Sequence, residues 1–313
     1  MSRTSRSRSF RVPGVAPVTP PHDAVPVPVH GRSGPRPHRE RRTGAAIARY
    51  AALTVVFVIL VGPFVWQLSL SFKGVGDNLY TRPPQVLPSD PTLENYREVV
   101  RRVPIPHYLL NSATVALISV AANVAGATCA GFALARLRFW GRSAALSVFV
   151  LALLVPGEII IVAQFLLMRS LGLNNTLLGV ALPTAVAALN VLLMRNAFRS
   201  LPVALEEAAV IDGATVWKRF LLICVPQVKG AMAVVAIFAF VGSWNDFLWP
   251  LIVLSDQDKY TLTVGLNALR GTFFDNPRVV AAGTVIAVAP ILLFFFGLQR
   301  FFFRGVEEGG IKG

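Results

Sequence analysis

Apolar residues in this chain form six long runs separated by shorter polar segments. A helix needs about 20 mostly apolar residues to cross a bilayer, and each run is close to that length. The predicted spans are residues 46–70, 108–134, 143–168, 177–194, 230–251 and 279–299. The pattern therefore predicts an all-α, polytopic membrane protein with six transmembrane helices.

The first 44 residues have a different pattern, rich in Arg, Ser, Pro and Gly and poor in large apolar side chains. Such a segment buries too little surface to fold. It also lacks the apolar stretch of a signal peptide beside its arginines. We predict a disordered, basic cytoplasmic tail over residues 1–44, followed by a six-helix membrane domain over residues 45–313. Binding of this tail to anionic lipid, or a solvated and dispensable tail, both remain open.

The second half of the chain contains one long, charge-bearing interruption, LPVALEEAAVIDGATVWKRFLLICVP, over residues 201–226. It predicts two short amphipathic helices with a break at Gly213 and a stop or bend at Pro226. Ser200 is the expected N-cap, with Pro202 in the first turn. The expected apolar faces are Leu201, Leu205, Ala208 and Ala209 on the first helix, beside Glu206 and Glu207, and Val216, Phe220 and Ile223 on the second. From the pattern alone, a docking surface and a solvated loop are both possible.

Charge supports a membrane protein and gives its orientation. Only 15% of the residues are charged, compared with about 25% in soluble domains. The net charge of +14 comes from a basic tail and from residues between apolar runs, without interleaved stacking aromatics, so nucleic acid is not an expected partner. With six spans and a cytoplasmic N-terminus, 21 of the 30 Lys and Arg residues lie on the cytoplasmic side. This places the C-terminus and residues 201–226 in the cytoplasm.

The chain shows no pattern typical of an enzyme. None of its five lysines lies in a Walker A context, so the chain is not expected to bind ATP itself. No nucleophile–base constellation is evident, and we predict no metal site, because no histidine has metal-ligand spacing with another His or Cys. The histidines are His22, His30, His38 and His107. The two cysteines, Cys129 and Cys224, are expected to be reduced packing residues.

Two carboxylates lie within predicted spans, where they are expected to face protein or water. Glu158 follows a Pro-Gly pair that favours a broken helix, and Asp246 lies beside Trp244 and Asn245. All four are candidates for a solute pathway or gate. Pairing with a neighbouring helix is the alternative for Glu158, and an interfacial aromatic belt is the alternative for Trp249. Three further polar residues are expected to form hydrogen bonds with neighbouring helices, and lining a pathway is the alternative role: Asn123, Gln164 and Asn190.

The 201–226 stretch resembles the EAA motif of permease subunits of binding-protein-dependent ABC importers. Glu207-Ala208-Ala209 is followed after three residues by Gly213, and later by Ile223-x-Val225-Pro226, with Val225 in place of the usual Leu. The run Asp212-Gly213-Ala214 is similar to the carbohydrate, maltose-type branch. Other stretches resemble the same family in the same order: Asn111-Ser112, residues 130–136, Pro156-Gly157-Glu158, residues 171–176, residues 244–247 and the end of the chain.

The resemblance implies a subunit of the bacterial or archaeal plasma membrane that moves a sugar by ATP-driven alternating access. Its implied partners are a second permease subunit, two ATPase subunits that bind ATP and Mg²⁺, an extracytoplasmic solute-binding protein and membrane lipid. The chain itself is expected to hold no cofactor. Residues 200–226 would be a cytoplasmic coupling loop, with ATPase contacts at Glu207, Ala208, Ala209, Asp212, Gly213, Ile223 and Pro226. The implied C-terminal contacts with the ATPases are Gly309, Gly310 and Lys312.

The chain departs from the family pattern in three further features, one of which is a 44-residue tail longer than the family's usual start. Residues 162–165 read VAQF where the family often has Ile-Pro-x-Tyr, and Lys229 and Gly230 stand where a second Pro is common. Neither the residues nor the resemblance names the sugar. An importer of the same type for another solute, such as glycerol phosphate or a polyamine, remains an alternative. So do a self-sufficient secondary transporter or channel and a membrane scaffold with no transport role.

Overall fold

A computed structural model describes residues 40–81, 83, 85–269 and 276–310 of the chain. Within these ranges the secondary structure is helical, apart from one antiparallel bridge between Lys73 and Pro91. The chain divides into two units, Met1–Val56 and Phe57–Gly313. The boundary falls inside helix α1 (Glu40–Phe72). The predicted disorder of residues 1–39 lies outside the described residues; α1 begins at Glu40, before the predicted end of the tail at residue 44, and the division at residue 44 stays a prediction.

Three long helices each contain a segment of sufficient length and apolarity to cross a membrane. They are α1, α3 (Ile105–Arg136) and α14 (Pro277–Gly310), and the apolar segments are Ala46–Phe72, Ile105–Arg136 and Pro277–Gly297. The short helix α2 (Glu94–Arg102) lies between α1 and α3. The repeated apolar helices confirm the prediction of a polytopic, helical membrane protein.

Three further pairs of helices meet the same criteria only when two bent segments are taken together. Helix α4 (Arg142–Ala152) meets Gly157–Ser170, which contains a 3₁₀ turn and α5 (Ile161–Ser170), at 98°. Leu177–Thr184, which begins with α6 (Leu177–Ala181), meets α7 (Ala188–Ser200) at 48°. Pro156 accounts for the first break, as expected. The second break, over residues 185–187, was not predicted, and it follows the 3₁₀ turn Leu182–Thr184 that contains Pro183.

The third bent pair joins the 201–226 stretch to the next apolar helix. Val216–Gln227 meets α11 (Lys229–Asn245) at 78°. Helix α11 ends at Asn245, so the predicted continuous span to residue 251 is wrong. The chain is extended at Asp246 (ψ 125°), and α12 (Leu248–Val253) and α13 (Leu262–Leu266) follow as separate short helices.

Helix α3 passes through all three apolar cores of the larger unit. Its first turns pack with α11, α13 and α14, its middle with α5, α6 and α12, and its last turns with α7 and α11. The contact with α7 depends on Gly131, where an added Cβ would lie 2.6 Å from Met194 Cβ and 2.8 Å from Arg195 N. Small residues allow such close approach between membrane helices.

A buried asparagine joins α3 to the broken α6–α7 pair. Asn123 Nδ2 donates to Thr184 O at 2.7 Å, and Asn123 Oδ1 accepts from Ala187 N and from Asn190 Nδ2, each at 2.9 Å. The break after Pro183 leaves backbone groups without helical partners, and Asn123 supplies them. These contacts confirm Asn123 and Asn190 as interhelical hydrogen-bond partners.

Candidate functional site

The 201–226 stretch forms two helical segments separated by a glycine turn. Helix α8 (Val203–Ile211) begins after Pro202, and the Ser200 hydroxyl donates to Ala197 O at 2.8 Å, so the predicted Ser200 cap is wrong. Gly213 has φ +74°, a left-handed conformation that glycine adopts without strain, and it provides the predicted break. A short α9 (Val216–Lys218), a π-helical turn (Arg219–Cys224) and α10 (Val225–Gln227) follow.

The buried side of α8 contains Glu206 and Ala209, which are 7% exposed each. The predicted apolar face is wrong for Leu205, which is 45% exposed, and for Ala208, which is also exposed. Apolar periodicity assumes that a glutamate faces solvent. Glu206 instead turns inward because two arginines neutralise its carboxylate.

The Glu206 carboxylate lies between arginines from two other parts of the chain. Arg136 Nε is 3.0 Å from Glu206 Oε1, and Arg219 Nη1 is 3.6 Å from Glu206 Oε2. The Arg136 Nε–H is not aligned as a hydrogen bond to that oxygen, so the contact is an ion pair. Arg136 Nη2 also donates to Phe198 O and Leu201 O, both at 2.6 Å. Sequence reasoning missed this site because Arg136 lies 70 positions before Glu206, and no local pattern joins them.

A second side of α8 is not covered by any part of the chain that the structure describes. Glu207, Ala208, Asp212 and Gly213 are exposed, and Ile211 is 86% exposed. Five of the predicted coupling residues therefore lie in one segment formed by α8 and the turn that follows it. Four of them are exposed, and the fifth, Ala209, faces inward. An exposed Ile beside a glycine turn indicates a surface available to a partner. Ile211 was not among the predicted contacts.

The second helical segment differs from its predicted pattern. Phe220 is 5% exposed as expected, but Val216 is 41% exposed and Ile223 is only half-buried. The π-helical turn explains the difference, since it has more residues per turn than the α-helix assumed by the prediction. Pro226 is exposed, and the bend of the chain occurs two residues later, at Val228.

A charged cleft of about 660 Å³ separates α8 from the turn between α3 and α4. Its charged lining consists of four arginines and two glutamates: Arg136, Arg138, Arg142, Arg219, Glu206 and Glu207. Trp140 in the same turn is fully exposed. The surface around α8 thus combines positive charge with exposed apolar side chains.

The cysteines have different environments. Cys224 is 1% exposed beside the Glu206 carboxylate, which agrees with a packing role. Cys129 is exposed and lines an apolar cavity of about 140 Å³ with Trp217, so the buried packing role predicted for it is wrong. Both are free thiols.

The pathway candidates lie in two regions. Glu158 is exposed in the 3₁₀ turn at the 98° bend, and Asn245 is exposed at the last position of α11. Asp246 Oδ1 accepts from Trp249 N at 3.3 Å. Trp244 is 4% exposed, and its Nε1 donates to Ala287 O at 3.0 Å, which favours packing over solute contact. The four assignments stay predictions.

Trp249 does not belong to an exposed aromatic belt. Its side chain is 5% exposed, and its Nε1 donates to Gly179 O at 3.2 Å. The alternative interpretation of Trp249 as an interfacial anchor is therefore wrong. At the end of the chain, Gly309 and Gly310 are the last residues of α14, while Lys312 lies outside the described residues. Among the side chains that the structure describes, no cluster of His, Cys, Asp or Glu suits a metal ion.

The loop after α12 is held by an asparagine with an unusual backbone. Asn175 has φ +58°, and its Oδ1 accepts from Ser255 N at 3.0 Å and Asp256 N at 3.1 Å. Its Nδ2 donates to Asp256 Oδ2 at 2.8 Å. This bond, together with nearby Lys259, lowers the pKa of the Asp256 carboxyl. Asn175 lies in residues 171–176, a stretch that resembles the family pattern, and the resemblance alone does not indicate these hydrogen bonds.

Residues 122–308 match the protein family described as the binding-protein-dependent transport system inner membrane component. The chain belongs to this family. It is therefore a multi-pass membrane permease of an ABC-type importer, and it is a transport subunit and not an enzyme. Transport by such a permease depends on a solute-binding protein.

Curated relatives and a solved structure resemble this permease over most of its length. It is 36% identical over 276 residues to the diacetylchitobiose uptake system permease protein NgcG of Streptomyces coelicolor, covering 87% of this chain and 90% of that one. It is 35% identical over 227 residues to the arabinooligosaccharides transport system permease protein AraQ of Halalkalibacterium halodurans, covering 72% and 81%. A bacterial ABC transporter involved in import of alginate shares the fold, with a TM-score of 0.71, 23% identity and coverage of 86% and 100%.

Proposed function

We propose that this permease moves a sugar or oligosaccharide from a solute-binding protein into the cytoplasm by ATP-driven alternating access. The support is the family assignment together with relatives that are named for diacetylchitobiose and arabinooligosaccharide uptake. Specificity among sugars does not follow from the family. Glu158, Asn245, Asp246 and Trp244 stay candidates for the pathway, with the two exposed residues, Glu158 and Asn245, the first to test.

The topology that we infer has six spans, with three continuous helices and three bent pairs as the spans. Both termini lie in the cytoplasm, in agreement with the distribution of Lys and Arg. Residues 1–44 form the cytoplasmic tail and residues 45–313 the permease domain, in the plasma membrane of a bacterium or an archaeon. The loop that contains α8 then also faces the cytoplasm.

The ATPase docks on the exposed side of α8 in this proposal. The single observation that carries it is that α8 is anchored on one side by Glu206 and Ala209 while the described residues leave its other side exposed. An anchored helix with exposed Glu207 and Ile211 can transmit force as well as bind. Ala208, Asp212 and Gly213 complete the docking surface, Ile223 and Pro226 border it, and Gly309, Gly310 and Lys312 provide a second contact.

A second permease subunit is the proposed partner within the membrane. Phe57, Val58, Ile59 and Leu60 of α1 are each about 60% exposed, and four consecutive residues cover every side of a helix. Lipid and a partner helix together are the expected cover for this apolar surface. ATP and Mg²⁺ belong to two separate ATPase subunits in this assembly, and the permease holds no cofactor of its own.

The docking proposal is tested by Gly213→Val and Glu207→Gln in the co-expressed complex. Valine is strained at φ +74°, and glutamine removes the exposed charge. We expect both variants to retain less ATPase subunit on purification and to lose binding-protein-dependent ATP hydrolysis. Gly62→Val is the control, since Gly62 has open space around it in α1. Full retention of the ATPase by both variants contradicts docking at α8.

A further inference from the structure

We propose that Glu206 is a positioning residue that fastens α8 to α3, so that movement of α8 is delivered to the far end of α3. The inference rests on the proposed docking of the ATPase and extends it to residues behind the docking surface. Glu206 does not touch the ATPase in this proposal. It determines whether movement at α8 reaches the rest of the permease.

The contact that fastens α8 to α3 is buried and branched. Glu206 is 7% exposed, and the side chain of Arg136 is 11% exposed. Arg136 binds the carboxylate and, through Nη2, the carbonyls of Phe198 and Leu201 at the end of α7. One guanidinium therefore joins α8, α3 and the segment that leads into α8. Removing one partner of a buried pair is costly because it leaves an uncompensated charge.

Helix α3 is placed to carry a displacement across the membrane. It is held against α7 at Gly131 and against the α6–α7 break at Asn123. About 37 Å from Arg136, given a rise of about 1.5 Å per residue, Asn111 Nδ2 donates to Asp258 O at 2.9 Å and to Tyr260 O at 3.0 Å. Interlocked helices move as rigid bodies. A shift of Arg136 is thus delivered to the loop that contains Asp258.

The two adjacent glutamates have different roles in this proposal. Consecutive residues on a helix point about 100° apart, so Glu206 faces Arg136 while Glu207 faces solvent. Glu207 belongs to the docking surface and Glu206 to the connection behind it. Glu206→Gln and Glu207→Gln are therefore a matched pair, with identical chemistry at neighbouring positions and different expected defects.

The experiment measures movement at the far end of α3 without needing the transported sugar. A reporter cysteine replaces exposed Gln257, and exposed Cys129 is changed to serine, while buried Cys224 is retained. The complex with its ATPase is reconstituted in nanodiscs. The rate of maleimide labelling at the reporter is compared with and without Mg-ATP plus vanadate. We expect a several-fold change in this rate for the complex with Glu206 intact.

Glu206→Gln is expected to retain the ATPase and lose the ATP-dependent change in labelling. Glu206→Asp, which keeps the charge, should restore part of it. Glu207→Gln should instead lose the ATPase. Glu98→Gln is the control, because it removes an exposed ion pair with Arg102 (2.7 Å) elsewhere in the chain. If Glu206→Gln does not assemble, Arg136→Lys replaces it, since lysine lacks the two separate nitrogens with which Arg136 holds the carboxylate and the two carbonyls.

A wild-type labelling response in Glu206→Gln, or in Arg136→Lys where that variant replaces it, overturns the proposed connection. An aspartate variant no better than the glutamine variant also overturns it, because the charge would then be irrelevant. So does a reporter that never responds to ATP in the complex with Glu206 intact. Failure of docking is distinguishable: Glu207→Gln would then keep its full amount of ATPase, whatever the labelling of the Glu206 variants shows.

Discussion

Replacing Asn123 with Leu removes the polar brace between α3 and the broken α6–α7 pair and keeps the branched shape of the side chain. Asn123 is 2% exposed, and three of its hydrogen bonds reach Thr184 O, Ala187 N and Asn190 Nδ2. Interhelical hydrogen bonds in membranes contribute about 0.6 kcal/mol on average and up to about 1.7. Three of them give roughly 2–5 kcal/mol as the expected loss of stability on the same scale.

The assay is unfolding of the purified chain in mixed dodecyl maltoside and SDS micelles, followed by circular dichroism. Thr114→Val is the matched control on α3, since Thr114 is half-buried and, among the described residues, its hydroxyl donates at 2.8 Å to Leu110 O in its own helix. Its expected effect is within about 0.5 kcal/mol. Adding Asn190→Leu to the Asn123 variant should cost less than Asn190→Leu alone, because the two share a bond.

A loss below about 1 kcal/mol for Asn123→Leu would refute this reasoning, because it is less than the three bonds contribute on average. The break after Pro183 would then be stabilised by apolar packing, and Thr184 O and Ala187 N would find other partners at little cost. Equal effects of Asn123→Leu and Thr114→Val would lead to the same conclusion.

Two other predictions test the close contact between Gly131 of α3 and α7, and the loop that follows α12. Gly131→Leu should destabilise the chain by about 1–3 kcal/mol or more through overpacking, whereas Gly62→Leu, in open space, should not; equal effects in the same unfolding assay would contradict this. The pKa of Asp256 is lowered below its ordinary value of 3.8, chiefly by Asn175, so its contacts are complete above that pH and are lost as the pH falls through the lowered pKa. Hydrogen exchange in residues 254–259, corrected for intrinsic rates, should accelerate only in that acidic range, and Asn175→Ala should move the onset to higher pH; an unmoved onset would contradict it.

The membrane architecture could be predicted from the sequence because the bilayer imposes a length and a polarity on each crossing. The break at Pro156 was also readable, since Pro and Gly stand together there. The break after Pro183 was not, because its backbone groups are satisfied by Asn123, which lies 60 positions earlier. The early end of α11 at Asn245 depends likewise on contacts of Asp246 with Thr263 and Trp249.

The candidate site was located by spacing and misjudged in orientation. The EAA-like spacing identified α8 and the turn at Gly213 correctly, because these are local features of the chain. Periodicity then placed Leu205 on the inner face and Glu206 beside it. The buried ion pair with Arg136 reverses this arrangement. Pairing of distant charges is decided by tertiary structure, and no pattern within one helix reports it.

The different orientations of Glu206 and Glu207 have a consequence for evolution. The two residues are identical and adjacent, but Glu206 pairs with Arg136 of the same chain, whereas Glu207 belongs to the proposed docking surface. Substitutions at position 206 should be accompanied by changes at position 136 of the same chain. Under the proposed docking, substitutions at position 207 should be accompanied by changes in the separate gene that encodes the ATPase. When the permease and ATPase genes diverge together, position 207 can change along with the ATPase. Position 206 remains constrained by Arg136 of the same chain.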